Sequence, residues 1–537
     1  VAEPGTLHDA LAAAAGRRPD TPVSFRVDRT TVRLDDLVEQ SYSVAGSLLR
    51  AGVRPGDRIG LLCQNEADFY RVLIGLGVLG ACACPLPLPT TARDGYQAKI
   101  SAIVTASGLR TVVLSERLTR LRSVLGNALD GITQISTGDL HDYSTRPPSD
   151  SGPGADQDLI VQFTSGSTSV PKGVRLTHGN VDACLAAIVE GIALTDDDVA
   201  GSWLPFFHDM GLFGTLAGIY HPIPLTVWPP STFVKDPARW LREMTEVGVT
   251  AIPMPNFAYD ALMRAVADPA EYDLSRWRVA FNGAEPIAAD TLAGFLAHFA
   301  PAGFRPETMF PVYGMAESTL PITFSRIGEP PRVDWVDRAR LAETGRAIPI
   351  DRGSPVARGI VSVGQPVARM AVRVADPDSG VLLGDRTVGE VEIKGALVTP
   401  GYLTGDQPFT ADGWLRTGDL GYTADGALHI TGRRKEMMIV RGDNYYPEDV
   451  EAAVRTDPDV FRRRCVAYLD DSDTGAHMVL VVESAADDSP QLRDRLRARV
   501  AAATGLDDVR VVIAAPQAIP RTSSGKLQRL ASRARFS

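Results

Sequence analysis

The pattern of apolar and polar positions divides the chain by period. Leu34, Leu37, Val38, Val44, Ala45, Leu48 and Leu49 recur at helical spacing and Gly52 follows as a stop signal, so a helix is expected over 34–52. A short continuous apolar run predicts a buried strand over 59–63, and a second helix is expected over 66–80. Strands alternating with helices predict a parallel sheet covered by helices. Residues 146–156, rich in Pro, Ser, Gly and Asp, read as a linker, and the alternation resumes over 159–304. Past residue 365 the period changes. Runs such as Ala371-Val-Arg-Val374 and Val388-Gly-Glu-Val-Glu-Ile393 alternate between turns, which predicts a small antiparallel β unit. Beyond Arg434 a compact tail is expected: strand 477–482, helix 491–502 and strand 509–513. No internal repeat is visible.

These expectations describe an α/β chain. A length of 537 residues suggests several modules. The reading is a large N-terminal domain over 1–434 and a small α+β C-terminal domain over 435–537. The former divides into α/β subdomains over 1–150 and 158–330, a segment over 331–365 and a β subdomain over 366–434.

Composition narrows the classes. Hydrophobic residues make up 44% of the chain and charged residues 22%, as in soluble globular proteins. A net charge of −10 argues against nucleic acid or an anionic membrane as the main partner. The longest apolar stretch, 72–86, is broken by Gly and Pro and falls short of a membrane span. No basic segment followed by an apolar run opens the sequence, so no secretion signal is expected and the expected compartment is the cytoplasm. The cysteines Cys63, Cys82, Cys84, Cys184 and Cys465 are odd in number and lack metal-ligand spacing, which fits a reducing compartment. Cys82 and Cys84 read as buried packing, with a redox or metal pair as the rarer alternative. Six of the 55 basic residues are lysines: Lys99, Lys172, Lys235, Lys394, Lys435 and Lys526. In a chain so biased toward Arg, a retained Lys marks a place where a compact point charge is of use.

The strongest chemical signal is Gln162-Phe-Thr-Ser-Gly-Ser-Thr-Ser-Val-Pro-Lys-Gly-Val174. An apolar strand over 159–163 runs into a loop of small and hydroxyl-bearing residues: Thr164, Ser165, Gly166, Ser167 and Thr168. Small side chains let the backbone approach an anion. Hydroxyls and backbone N–H groups can cradle phosphate oxygens, and Lys172 adds positive charge. A Walker loop needs Gly where Pro171 stands and Ser or Thr where Gly173 stands, so this is a phosphate loop of another kind.

The loop resembles that of the adenylate-forming superfamily, which includes acyl-CoA synthetases, nonribosomal-peptide adenylation domains and luciferases. Six further segments similar to that family's follow in order, and the resemblance runs from about residue 5 to the C-terminus. Trp203-Leu-Pro-Phe-Phe-His-Asp-Met-Gly-Leu212 resembles the segment that brings a His or aromatic group beside the acyl carboxylate, which implies that role for His208. Phe281-Asn-Gly-Ala-Glu-Pro286 resembles the adenine-pocket lining, implicating Asn282, Gly283 and Ala284. Val312-Tyr-Gly-Met-Ala-Glu-Ser318 is similar to the Tyr-Gly-x-x-Glu element: Tyr313, Gly314 and Met315 would face the nucleotide, and Glu317 would offer a hard oxygen ligand to Mg²⁺, with Thr168 as its companion. Trp414-Leu-Arg-Thr-Gly-Asp-Leu-Gly421 resembles the ribose segment, with Asp419 accepting from both hydroxyls. Ile430-Thr-Gly-Arg-Arg-Lys-Glu436 resembles the domain junction, which implies Arg433 at ribose and phosphate and Lys435 as the hinge. Pro520-Arg-Thr-Ser-Ser-Gly-Lys526 resembles the C-terminal catalytic loop, and Lys526 would touch the carboxylate and the α-phosphate. The resemblance implies ATP as cosubstrate, Mg²⁺, and a C-terminal domain that moves.

Within the superfamily the wording of the segments is similar to the fatty acyl-AMP ligases, which pass the acyl group to an acyl carrier protein. His208-Asp-Met-Gly211, Asn282-Gly-Ala-Glu-Pro286 and Gly432-Arg-Arg-Lys435 carry that likeness. The interval from Glu317 to Gly364 is longer than related CoA ligases use and resembles the insertion of that branch, whose implied effect is to restrain domain rotation and disfavour CoA. The implied substrates are a fatty or related carboxylic acid and a carrier protein. An acyl-CoA ligase, an AMP ligase for a short or unusual acid, and a non-catalytic binding relative stay open as alternatives.

Overall fold

A computed structural model describes residues 5–88, 93–119, 125–142, 152–164, 171–406, 408–440, 443–472, 475–521 and 527–536. The chain forms two compact units. The first takes Val1–Pro331, Gly364–Val372 and Ile393–Leu415; the second takes Arg332–Val363, Arg373–Glu392 and Arg416–Ser537.

The first unit holds two sheets. The expected helix runs over Leu34–Arg50 and buries Leu34, Leu37, Val38, Val44, Ala45 and Leu48 on one face. The next helix, Ala67–Leu79, ends on Gly80, which adopts the left-handed conformation at φ 70°. Between them Arg58–Leu62 joins a six-stranded sheet in the order Thr133–Ser136, Thr111–Leu114, Arg58–Leu62, Cys82–Pro85, Asp158–Thr164, Lys172–Thr177. The first five strands pair in parallel and the last is antiparallel. Of the expected linker, residues 152–156 are described and lie in coil and turn.

The second sheet has nine strands, in the order Gln365–Pro366, Pro321–Phe324, Met309–Gly314, Val279–Gly283, Ala251–Pro255, Ala200–Ser202, Leu225–Val227, Pro22–Phe25, Thr30–Arg33. From Met309–Gly314 through Pro22–Phe25 every neighbouring pair is parallel, and the flanking strands are antiparallel. Buried strands such as Ala251–Pro255 are apolar on both faces, as a sheet covered on both sides requires. In open parallel sheets, ligands gather at the C-terminal ends of the strands.

In the second unit, Val333–Asp337 pairs antiparallel with Ala357–Val361, and the helix Arg338–Thr344 follows the first of these strands. The longer segment of the sequence reading thus has secondary structure of its own. The β unit is a sheet in the order Met370–Ala375, Gly389–Gly395, Leu415–Ala424, Ala427–Arg433, most of whose residues fall in this unit. The tail has strands Cys465–Ser472, Gly475–Glu483 and Val509–Ala514 with helices Pro447–Arg455, Pro490–Thr504 and Arg529–Phe536. Its first strand pair is antiparallel and its second parallel.

Candidate active site

The phosphate-loop segment joins two paired strands. Asp158–Thr164 and Lys172–Thr177 pair antiparallel with Thr164 opposite Lys172. Ser165, Gly166, Ser167 and Thr168 lie outside the described residues, as does the side chain of Thr164. Gln162, on the incoming strand, is buried and donates through Nε2 to the Phe207 carbonyl at 2.7 Å. That bond fixes the backbone immediately before His208. His208 caps the helix Asp209–Tyr220, and its ring lies 4.6 Å from that of Phe207. A side chain at Gly211 would meet the Pro205 carbonyl at 2.3 Å, so glycine is required for this tight entry.

Three parallel strand ends lie side by side in the nine-stranded sheet. Ala251–Pro255 leads into Asn256, Val279–Gly283 into Ala284, and Met309–Gly314 carries Tyr313 near its end. The Asn282 side chain is fully buried and donates to Asn256 Oδ1 at 3.4 Å, so it braces the sheet. Ala284, just beyond the strand, is exposed with φ 64°. Tyr313, Gly314 and Met315 are half-buried. A Cβ on Gly314 would come within 1.9 Å of the Leu320 carbonyl, which explains the glycine of this element.

Glu317 follows in the single 3-10 turn Ala316–Ser318 and is 8% exposed. Tyr402 donates its phenolic O–H to Glu317 Oε1 at 2.7 Å, and Lys172 Nζ stands 4.9 Å over the centre of the same ring. Burial, then the Glu317 charge and hydrogen bond, push the Tyr402 phenol well above its ordinary range, so it stays protonated and donates. Neither Tyr402 nor Gln162 was singled out in the sequence. Gln162 sits inside the motif, whereas Tyr402 lies in a Gly-Tyr-Leu stretch with no periodic signal.

The second unit holds the remaining positions. The hairpin register sets Asp419 opposite Arg433, and Arg433 Nε lies 3.1 Å from Asp419 Oδ1. Asp419 is buried and Arg433 exposed. Lys435 is exposed in the three-residue turn before Met438–Val440. Lys526 lies outside the described residues. Three residues further on, Arg529 is enclosed by carboxylates: Glu436 at 2.5 Å, Glu448 at 2.8 Å and Glu451 at 3.1 Å. Burial opposes its charge, and the three carboxylates outweigh that and raise its affinity for the proton. Such a cluster has no local signature, because its members are scattered along the tail.

Residues 11–403 match the model of the AMP-binding enzyme family. A long-chain-fatty-acid–AMP ligase of Mycolicibacterium smegmatis is 32% identical over 91% of this chain and 86% of its own. A medium-chain-fatty-acid–[acyl-carrier-protein] ligase of Moorena producens is 32% identical over 93% of this chain and 89% of its own. A solved structure from studies of fatty acyl-adenylate ligases of E. coli and L. pneumophila has a TM-score of 0.90 at 30% identity, covering 99% of this chain and 97% of its own. The chain belongs to the AMP-binding enzyme family, on the branch of the fatty acyl-AMP ligases.

Proposed function

We propose that the chain joins a fatty or related carboxylic acid to AMP, releases pyrophosphate, and passes the acyl group to the phosphopantetheine thiol of an acyl carrier protein. The observation that carries this reading is the chain of contacts from Lys172 at the phosphate-loop hairpin, through Tyr402, to Glu317. It gathers a cation and a hard oxygen donor within the first unit. Adenylation is an in-line attack of a carboxylate oxygen on the α-phosphorus, so two anions must meet and the site must supply positive charge and close positioning.

The donor set suits Mg²⁺. Among the described residues no group of three or more His, Cys, Asp or Glu side chains could hold a metal by itself. A buried carboxylate such as Glu317, completed by substrate phosphates and water, is how Mg²⁺ is ordinarily held. When bound, Mg²⁺ supplies charge stabilisation to the phosphate oxygens; Glu317 and Thr168 are its proposed ligands. Lys172 and the loop residues Thr164 to Thr168 hold phosphates, and Gly283, Ala284, Tyr313, Gly314 and Met315 border the adenine with Asn282 bracing them. Asp419 accepts from the ribose hydroxyls, Arg433 lies beside ribose and phosphate, and His208 stands near the acyl carboxylate. Lys526 joins carboxylate and α-phosphate. Residues 435–537 move as a domain about Lys435 against residues 1–434.

Among the described residues no helix is long and apolar enough to cross a membrane. All five cysteines are buried and free, which supports a reducing compartment and the cytoplasm. The test is a coupled assay with acid, ATP and Mg²⁺, offering holo carrier protein or CoA as acceptor. Acyl-adenylate followed by acyl-carrier is expected. Acyl-CoA formed as fast as acyl-adenylate would reject the carrier-protein assignment in favour of a CoA ligase.

A further inference from the structure

We propose that Tyr402 is a positioning residue that sets both the orientation of the Glu317 carboxylate and the resting place of Lys172; this rests on the reading of Glu317 as the Mg²⁺ ligand. The segment carrying Tyr402 is clamped from two sides. Tyr402 bridges to Val174 on the strand Lys172–Thr177, Arg175 N–H donates to the Gly401 carbonyl at 3.1 Å, and Leu403 N–H donates to the Gly173 carbonyl at 2.9 Å. Thr399 ties the same segment to the other partner: its N–H donates to the Glu317 carbonyl at 2.8 Å, and its hydroxyl donates to the Arg175 carbonyl at 2.5 Å. The ring of Tyr402 is thereby held at a fixed distance from the phosphate-loop hairpin and from the turn Ala316–Ser318.

Two consequences follow from the chemistry of the ring. Its O–H donates to Oε1 of Glu317 at 2.7 Å and so fixes the orientation of that carboxylate. Partners that orient a ligating carboxylate typically carry 10- to 100-fold, as an order of magnitude, of the metal affinity. Its face attracts the Lys172 ammonium, which keeps that cation beside the hairpin before a phosphate arrives. A lysine retained in an Arg-biased chain suits this place, because its compact charge can leave the ring for a phosphate oxygen.

Tyr402→Phe keeps the ring and removes the O–H. Mn²⁺ binding to the enzyme–ATP complex, followed by water-proton relaxation, reports the metal directly without turnover. Its dissociation constant is expected to rise roughly 10- to 100-fold in Tyr402→Phe, and the Mg²⁺ requirement of pyrophosphate exchange to rise in parallel. Tyr402→Leu is expected to add about a threefold rise in KM for ATP, because it also removes the platform under Lys172. Unchanged Mn²⁺ affinity in Tyr402→Phe, with or without a lowered melting temperature, overturns the proposal when Glu317→Gln binds Mn²⁺ weakly. Wild-type Mn²⁺ affinity in Glu317→Gln overturns the underlying reading of Glu317, and the role of Tyr402 with it.

Discussion

Replacing Arg358 by methionine removes one partner of a buried ion pair in the second unit. Arg358 Nε meets Asp449 Oδ1 at 2.7 Å, with the two side chains 10% and 15% exposed. Arg358 also donates to the Thr431 carbonyl at 3.1 Å, and its guanidinium lies 4.7 Å over the Tyr446 ring. Burial raises the Asp449 carboxyl above its ordinary range, and Arg358, then Arg338, pull it back down. Without Arg358 an ionised Asp449 is left short of its nearest cation. Breaking a buried pair in this way costs about 3–5 kcal/mol. For a unit of this size that corresponds to a fall in melting temperature of roughly 6–20 °C.

The pH dependence has a definite sign. A carboxyl whose folded pKa exceeds its unfolded value binds more protons when folded, so stability declines as pH rises through the window above the ordinary carboxylate pKa. Arg358→Met steepens that decline. The deficit of the variant against the wild type is therefore expected to be full at neutral pH and to shrink as the pH falls and Asp449 takes up its proton. Adding Asp449→Leu is expected to recover most of the loss, because it removes the orphaned charge. Urea unfolding of wild type, both single variants and the double variant at several pH values checks this. A pH-independent deficit, or one below about 0.5 kcal/mol, would refute the reasoning, since exposed pairs behave that way. The same variant bears on the acceptor. Arg358 belongs to the 331–365 segment and Asp449 to the helix Pro447–Arg455. If that segment restrains residues 435–537, Arg358→Met should raise the acyl-CoA to acyl-carrier ratio by about fivefold or more.

Three further outcomes are expected. Lys526→Ala should lose roughly 10²–10³ in acid-dependent ATP–pyrophosphate exchange while the melting temperature holds, as removal of one preorganised charge contact does; near-normal exchange would remove Lys526 from the reaction. Asp419→Ala should raise KM for ATP by about tenfold or more, as loss of charge-assisted hydrogen bonds to a ligand does, and should leave 2′,3′-dideoxy-ATP use little changed; equal losses on both nucleotides would place Asp419 away from the ribose. His178 is fully buried, accepts from Leu7 N–H through Nδ1 at 3.3 Å, and has its pKa lowered to about 4 by burial and the nearby His8, with Asp9 offsetting in part. A lowered folded pKa means the unfolded chain binds more protons, so stability is full above about pH 6.5 and should fall by roughly 3 kcal/mol as pH drops to 4, a slope that His178→Asn should flatten and that parallel urea-unfolding profiles would contradict.

How far the sequence discloses this molecule depends on whether a feature is local. The helices Leu34–Arg50 and Ala67–Leu79 are legible because one chain segment carries both the apolar stripe and the stop glycine. The phosphate-loop hairpin is legible because strand, loop and lysine are contiguous. The turn carrying Glu317 is legible only as a motif; that its carboxylate accepts a hydrogen bond from Tyr402 is not, because Tyr402 comes from a distant stretch that reads as coil. Asn282 shows the converse. Its place in the motif draws attention to its side chain, yet the alternation of a strand buried on both faces turns that side chain inward toward Asn256, and the exposed residues of the segment are Ala284 and Pro286. Arg529 is harder still, because its partners Glu436, Glu448 and Glu451 come from a turn and a helix far from it in sequence. In an Arg-rich chain one arginine is indistinguishable from its many neighbours until burial makes its charge costly and three carboxylates offset it. Motifs therefore mark the groups proposed to touch substrate, whereas Gln162, Tyr402 and Arg529, which hold chain segments and side chains in place, become visible only once distant parts of the chain are brought together.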